Sequence, residues 1–222
     1  MKRVLVFAAH PDDDIIGCGG SIAKHVKSGN WVSVCYMTSG SAGSLDYAKE
    51  ELARIRENEA KRAAKVVGSR NMMFLRDPDG YLEYNEDKSR KLVELIRKIR
   101  PHAVYVHHGS DRHRDHFITY PLVRESIRRA SGPWFQECDK ALWSVETVLA
   151  YEVSTPLSEL NYVEDISGFI DKKIAALKRH QSQVKDIWYD EAAEGLAKYR
   201  GAMTGKGKYC EVFQVAKVTD LF

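Results

Sequence analysis

The chain of 222 residues is long enough for one α/β domain with a well-buried core and short for two. Apolar residues make up 44% and charged residues 29%, and the formal charge of +3 comes from Lys and Arg scattered among acids, which argues against a nucleic-acid-binding face. No apolar run approaches a membrane span, and Cys18, Cys35, Cys138 and Cys210 form no C-x-x-C pair, so a cytoplasmic protein without disulfides is expected.

In chain order, residues 4–9 form a continuous apolar run, as for a strand buried on both faces of a parallel sheet. Pro11 and three aspartates end this run too soon for a signal sequence. Ile22, Ala23 and Val26 recur at helical spacing after a glycine-rich start. Residues 31–37 make a second apolar run, followed by a Gly- and Ser-rich loop over 38–44. A long amphipathic helix is expected over Lys49–Val67, stopped by Gly68. A short strand over 71–75 leads into the turn Asp77-Pro78-Asp79-Gly80.

Leu92, Val93, Leu95, Ile96 and Ile99 place a helix over 87–99, and Pro101 precedes a fourth strand over 103–106. A helix over about 117–130, an irregular stretch over 131–142, a strand over 145–153, a helix over 166–183 and a last strand over 211–218 complete the chain. This alternation implies a single Rossmann-like α/β domain over 1–222, its mostly parallel β-sheet flanked by helices on both faces. Such sheets bind ligands beyond the carboxyl ends of their strands, where strand order reverses.

Two motifs carry chemistry. Directly after the first strand stands Ala9-His10-Pro11-Asp12-Asp13-Asp14. Adjacent carboxylates repel one another unless a cation compensates, and a metal beside His10 would do so; an acidic helix cap is the plain alternative. Directly after the fourth strand stands Asp111-Arg112-His113-Arg114-Asp115-His116. Its imidazoles and carboxylates suit a metal, or merely a polar loop. Neither motif decides alone. Both follow buried strands, so in a parallel sheet both reach the same edge and can converge.

These motifs resemble the PIG-L/LmbE-like N-deacetylases, zinc enzymes acting on N-acetylglucosamine-containing and related amides. The resemblance rests on Ala9-His10-Pro11-Asp12-Asp13 with Gly17-Cys18-Gly19-Gly20, on His113-Arg114-Asp115-His116, and on Arg56-Glu57-Asn58-Glu59-Ala60. His180-Gln181-Ser182-Gln183 and Tyr209-Cys210-Glu211-Val212-Phe213 extend it, in the family's order, over nearly the whole chain. It implies one zinc per chain held by His10, Asp13 and His116, with open positions for water and a substrate carbonyl; iron suits the same donors. It further implies Asp12 as general base, a cationic His113 beside the oxyanion, and Asp115 orienting a histidine. Arg56 and Arg112 become substrate contacts, and Asp14 has a supporting place. The implied substrate is an N-acetylated amino sugar or related small amide. Relatives often form trimers or hexamers, so a homo-oligomer is expected.

The chain also departs from the pattern. Asp111 stands where some sugar deacetylases carry a tyrosine, and Trp143-Ser144-Val145-Glu146 lacks an arginine that some relatives have. His25, His102, His107 and His108 match no metal position, although His107 and His108 lie close enough to line the site. The glycines at 17, 19 and 20 lack the G-x-G-x-x-G spacing, and the aspartates before them would repel a pyrophosphate, so they are expected to pack loop against helix. Segments 39–47 and 131–142 are expected to shape the pocket. Two rivals stay open. A non-catalytic Rossmann-like ligand-binding module would want an acid after the second strand, where Met37-Thr38-Ser39-Gly40 has none. A phosphoester metallohydrolase usually holds two metals.

Overall fold

The computed structural model describes residues 1–138 and 141–218. Five strands run parallel: β1 (Arg3–Ala8), β2 (Trp31–Thr38), β3 (Asn71–Asp77), β4 (Ala103–His107) and β5 (Thr147–Tyr151). An antiparallel pair, β6 (Tyr162–Asp165) and β7 (Cys210–Val218), completes one edge, so the seven-stranded sheet reads β3-β2-β1-β4-β5-β7-β6. The helices are α1 (Asp13–Lys27), α2 (Lys49–Val67), α3 (Glu86–Ile99), α4 (Arg114–Ala130), α5 (Ile170–Leu177), α6 (Gln181–Val184) and α7 (Tyr189–Thr204).

Alternation along β1 divides the core. Val4, Val6 and Ala8 pack with Ile22 of α1, Ala63 of α2 and Leu177 of α5, whereas Leu5 and Phe7 face Ile96 of α3 and Leu122 of α4. Both faces are covered, which is why β1 reads as an unbroken apolar run. From β1 the chain builds outward through β2 and β3, then returns to place β4 on the other side. Strand order therefore reverses between β1 and β4, and both motifs lie at the carboxyl ends of these two strands.

Several elements differ from expectation. α1 and α4 begin at Asp13 and Arg114, a turn before their apolar periodicity, because the motif residues themselves build the first turns. The stretch expected as one helix over 166–183 is two, broken at His180 (φ −87°, ψ 56°). The half-exposed β6 and the helix α7 were not expected; α7 buries Ala193, Ala197 and Gly201, too small to leave an apolar stripe in the sequence. Within segment 131–142, residues 139 and 140 lie outside the described residues, and none of the described ones lines the cavity. Instead the buried Arg97 guanidinium gathers the segment's carbonyls, donating to Gly132 (3.0 Å), Trp134 (2.7 Å) and Phe135 (2.9 Å). No helix among the described residues is long and apolar enough to cross a membrane.

Candidate active site

Past the end of β1 the chain turns sharply. Asp12 and Asp13 donate their amides to the His10 carbonyl, and the His10 amide donates to Asp13 Oδ2 at 2.7 Å. Asp13 and Asp14 thus occupy the first turn of α1, where the helix dipole favours carboxylates. Past β4, Asp111 Oδ1 accepts from the His113 amide at 2.9 Å, and His113 caps α4 with Nδ1 accepting from the Asp115 amide at 3.3 Å. This cap brings Asp115 and His116 back over the β1 turn.

Three atoms converge there. His10 Nδ1 lies 3.2 Å from His116 Nε2 and 3.3 Å from Asp13 Oδ2, and the third side of the triangle is 3.4 Å. A tetrahedral ion bonded at about 2.0–2.1 Å to N and O donors needs donor separations of about 3.3–3.4 Å, so this triangle fits one. Three other groups of donors can also hold an ion: Asp13 with His107 and His116, His10 with His113 and His116, and His10 with Asp79 and Asp115. Each shares a residue with the triangle, so they do not make a second independent site. In the first, His107 Nε2 already faces the Ala9 amide at 3.1 Å.

Carboxylates orient both rings from behind. His10 Nε2 faces Asp79 Oδ1 (3.1 Å) and Asp115 Oδ2 (3.3 Å), and His116 Nδ1 faces Asp111 Oδ2 (3.3 Å). Asp115 is itself fixed by the amides of Gly80 (2.7 Å) and Leu82 (3.2 Å). Burial alone would lower the pKa of His10, but hydrogen bonds to Asp115 and Asp13 raise it well above the usual range. His116 is likewise opposed by burial, yet Asp13 and Asp111 push it up to about 9. Burial would raise Asp13, but the charges of His116 and His107 hold it far below the usual carboxylate range.

Asp12 lines the cavity beside this triangle, and its Oδ1 accepts from Arg56 Nη2 at 3.0 Å. Arg56 Nη1 donates to the Gly40 carbonyl at 3.1 Å. Gly40 has φ +63°, and a Cβ there would stand 2.4 Å from the guanidinium, so the turn after β2 admits only glycine. Arg56, expected to reach substrate, spends its fork on Asp12 and this turn.

His113 faces the same cavity but is held differently from expectation. Burial and the charges of His116 and His10 lower its pKa, so at neutral pH it is an uncharged imidazole. Because Nδ1 accepts from a backbone amide, Nε2 carries the proton and is the donor available to a ligand. Asp14 points away from the cavity: Tyr36 OH donates to its Oδ2 at 3.1 Å, and burial pushes its carboxyl up to about 7. Arg112 is exposed and is not part of the cavity wall; its amide donates to Thr155 Oγ1 at 3.0 Å. His107 is buried beneath the site, stacked on His116 at 4.0 Å, with its pKa lowered to about 4 by burial and the His116 charge.

Asp79, which in the sequence is only part of a turn, belongs to the site through its contact with His10. Its Oδ2 accepts from the Ala42 amide at 2.7 Å, so it ties the 39–47 loop to His10. The signal was available: Asp79 follows the carboxyl end of β3, on the sheet edge that the two motifs share. The cavity has a volume of about 580 Å³, and segment 39–47 contributes Ala42 and Gly43 to it.

Residues 5–127, more than half of the chain, match the family described as GlcNAc-PI de-N-acetylase (PIG-L). The diacetylchitobiose deacetylase of Thermococcus kodakarensis is 33% identical over 223 residues, covering 95% of this chain and 82% of that relative. The solved structure of N,N'-diacetylchitobiose deacetylase from Pyrococcus horikoshii has a TM-score of 0.88 at 30% identity, over 96% of this chain and 83% of that one. The 4-carboxy-2-hydroxymuconate hydratase of Pseudomonas putida reaches a TM-score of 0.86 at 24% identity over 100% of both chains, a likeness that shows the fold alone. With the family match spanning both motifs, the chain belongs to the PIG-L (GlcNAc-PI de-N-acetylase) family.

Proposed function

We propose that the protein is a zinc-dependent amidohydrolase that removes the N-acetyl group from an N-acetylglucosamine-type amino sugar. The observation that carries this is the pairing of the donor triangle His10–Asp13–His116 with a separate carboxylate, Asp12, held at the same cavity by Arg56. Two imidazoles and one carboxylate are a fitting donor set for catalytic zinc. Bound there, zinc supplies Lewis acidity, polarising the amide carbonyl and lowering the pKa of water toward about 7.

The chain's own groups do the rest. Asp12 takes a proton from the attacking water and returns it to the departing amine nitrogen. Arg56 holds that carboxylate toward the cavity and keeps its charge compensated. His113 donates Nε2–H to the oxyanion as a neutral imidazole, so it can stabilise developing negative charge without first losing a proton. Asp115 and Asp79 orient His10, and Asp111 orients His116. The diacetylchitobiose deacetylases at 33% and 30% identity support an acetylated amino sugar as substrate.

The test is acetate release from N-acetylglucosamine, diacetylchitobiose and an N-acetylglucosaminyl inositol, with metal content measured alongside. Asp12→Ala is expected to abolish turnover while bound zinc stays near one equivalent per chain. Full activity in that variant would overturn the assignment of the base, and zinc binding with no acetate from any of the three would overturn the substrate class.

A further inference from the structure

The reaction proposed above uses only part of what the cavity offers. The donor triangle, Asp12 and His113 serve the amide, and the remaining charged side chains of the lining are occupied by the protein itself. Glu211 accepts from Ser21 N (2.8 Å) and Lys173 Nζ (2.7 Å), and Glu152 from Leu157 N (2.6 Å) and Arg200 Nη2 (2.6 Å). Ser154 Oγ faces His116 Nδ1 at 3.5 Å. Arg56 Nε has no partner, but it is sealed from solvent and from any ligand. Two polar side chains of the lining are left over, Gln183 and Tyr189.

Gln183 is only 8% exposed, and its carboxamide is held in one orientation. Ser182 donates its amide and its hydroxyl to Glu59, at 2.9 and 2.6 Å. With its hydrogen spent there, Ser182 Oγ can only accept, so the Gln183 atom 3.2 Å from it is Nε2. Oε1 is thereby left as an acceptor, and no described residue donates to it. It stands 3.0 Å from the place a Cβ on Gly43 would take, and Arg56 Nη1 stands 2.5 Å from the same point, so this carbonyl neighbours the guanidinium that holds Asp12. Tyr189, the half-buried first residue of α7, also keeps its hydroxyl free of hydrogen bonds to described residues. Burial and the charges of Asp12 and Asp13, against that of Arg56, raise its pKa, so the phenol keeps its proton and can donate as well as accept.

A deeply set acceptor and a phenol, both unpaired on one cavity lining, call for hydroxyl groups on the ligand. An acetyl group has none to give: its carbonyl oxygen belongs to the metal and His113, and its methyl is apolar. The hydroxyls of an amino sugar supply them. We propose that Gln183 Oε1 and Tyr189 OH bind ring hydroxyls of the sugar and set the preference for an amino sugar over other acetamides. This rests on the deacetylase function proposed above. A substrate without the matching hydroxyl would cover these groups and leave them unpaired, which is how a site rejects an analogue lacking one polar group.

The experiment uses the full chain loaded with zinc and reads amine release from the methyl glycoside of N-acetylglucosamine and from its 3-, 4- and 6-deoxy analogues. Tyr189→Phe removes an atom that bonds to nothing described in the protein and is expected to fold as the wild type does. Gln183→Met removes the carbonyl at nearly constant length, with Gln183→Leu in its place should the first fail to fold. With zinc still near one equivalent, each variant is expected to lose about tenfold in kcat/KM on the parent glycoside. On the deoxy analogue that lacks the hydroxyl bound by that residue, the same substitution is expected to cost almost nothing further, a coupling that a merely structural role would not produce. No loss on the parent, or an equal loss on all four substrates, in a folded variant of either residue overturns this inference and leaves the deacetylase standing. No amine from any of the four with the wild type overturns both.

Discussion

Asp111 Oδ2 sits 3.3 Å from His116 Nδ1 on the side of the ring away from the donor triangle. The same oxygen accepts from the Ser154 amide at 3.2 Å, and Oδ1 accepts from the His113 amide at 2.9 Å. Hydrogen bonds to His116 and to that amide outweigh burial and lower the carboxyl's pKa to about 2. Asp111 therefore stays ionised and fixes His116 with its proton on Nδ1 and its lone pair on Nε2. Asp111→Asn keeps the shape but removes the charge, and is expected to weaken zinc binding about 10- to 100-fold. Competition with a chelator of known affinity checks this; wild-type affinity in the variant would mean that Asp111 serves only the loop.

Arg56 and Asp12 are 4% and 5% exposed, so their ion pair is shielded from solvent screening. Removing one partner of such a pair leaves an uncompensated buried charge, at about 3–5 kcal/mol. Arg56→Ala is expected to lose stability on that scale and to lose turnover together with it. Arg56→Lys should recover part of the stability but little of the rate, because an ammonium cannot serve Asp12 and the Gly40 carbonyl in one planar fork. Urea unfolding beside kcat separates the two effects, and a wild-type kcat in Arg56→Ala would remove Arg56 from the base's support.

Much of this was legible from the chain because its signals are local. Helix α2 has the bounds that periodicity and Gly68 gave it, and β1 and β2 were marked by apolar runs that only two-sided burial explains. The convergence of His10 with His116 followed from strand ends in a parallel sheet. What stayed hidden depends on pairings that sequence does not display. Asp111 looked like the loss of a tyrosine until its contact with His116 was visible. Arg56 was expected at the cavity, which it lines, but its hold on Asp12 could not be read from the chain. Helix α7 escaped because Ala193, Ala197 and Gly201 pack by being small, and the charge of His113 escaped because it is set by neighbouring rings and burial.

His180, outside the triangle of His10, Asp13 and His116, supplies a pH dependence of its own. It is 1% exposed, neither ring nitrogen has a protein partner, and burial, reinforced by the charges of Arg56 and Arg62 against that of Asp12, lowers its pKa to about 4. An unfolded histidine titrates near about 6.5, so the unfolded chain binds this proton more tightly. The stability that His180 contributes is thus fully present above about pH 6.5 and is lost as pH falls toward 4, by up to about 3 kcal/mol. His180→Phe is expected to flatten the stability curve between pH 6.5 and 4. An identical slope in wild type and variant would assign the acid sensitivity elsewhere.

Gly17 presses α1 against Tyr151, where a Cβ would stand 2.2 Å from the ring. The tyrosine cannot readily yield, since its hydroxyl donates to the Phe7 carbonyl at 2.7 Å inside the sheet. Gly17→Ala is therefore expected to destabilise by about 1–3 kcal/mol through overpacking. It should also weaken zinc binding, because Asp13 is one turn away on the same helix. A Cm shift measured with and without zinc reads both, and an unshifted Cm would show that the ring moves freely.

Glu211 explains how α1 can bend just behind the turn that carries Asp13. Cys18 leaves the helical region (φ −146°, ψ 25°), so the helix restarts with the amides of Gly20 and Ser21 bonded to the Glu211 carboxylate, which Lys173 Nζ also meets at 2.7 Å. The pair is almost fully buried, with side chains 3% and 2% exposed. Glu211→Gln retains an acceptor for the amides but strands the Lys173 ammonium, and is expected to cost about 3–5 kcal/mol. Replacing both residues by methionine removes the stranded charge yet leaves the two amides unpaired, so it should recover part of that loss and no more. Urea unfolding of Glu211→Met, Lys173→Met and the double variant completes a cycle whose coupling term isolates the ion pair. A coupling near zero would mean that the bend is held by the amide bonds and the Lys173 charge is incidental to it.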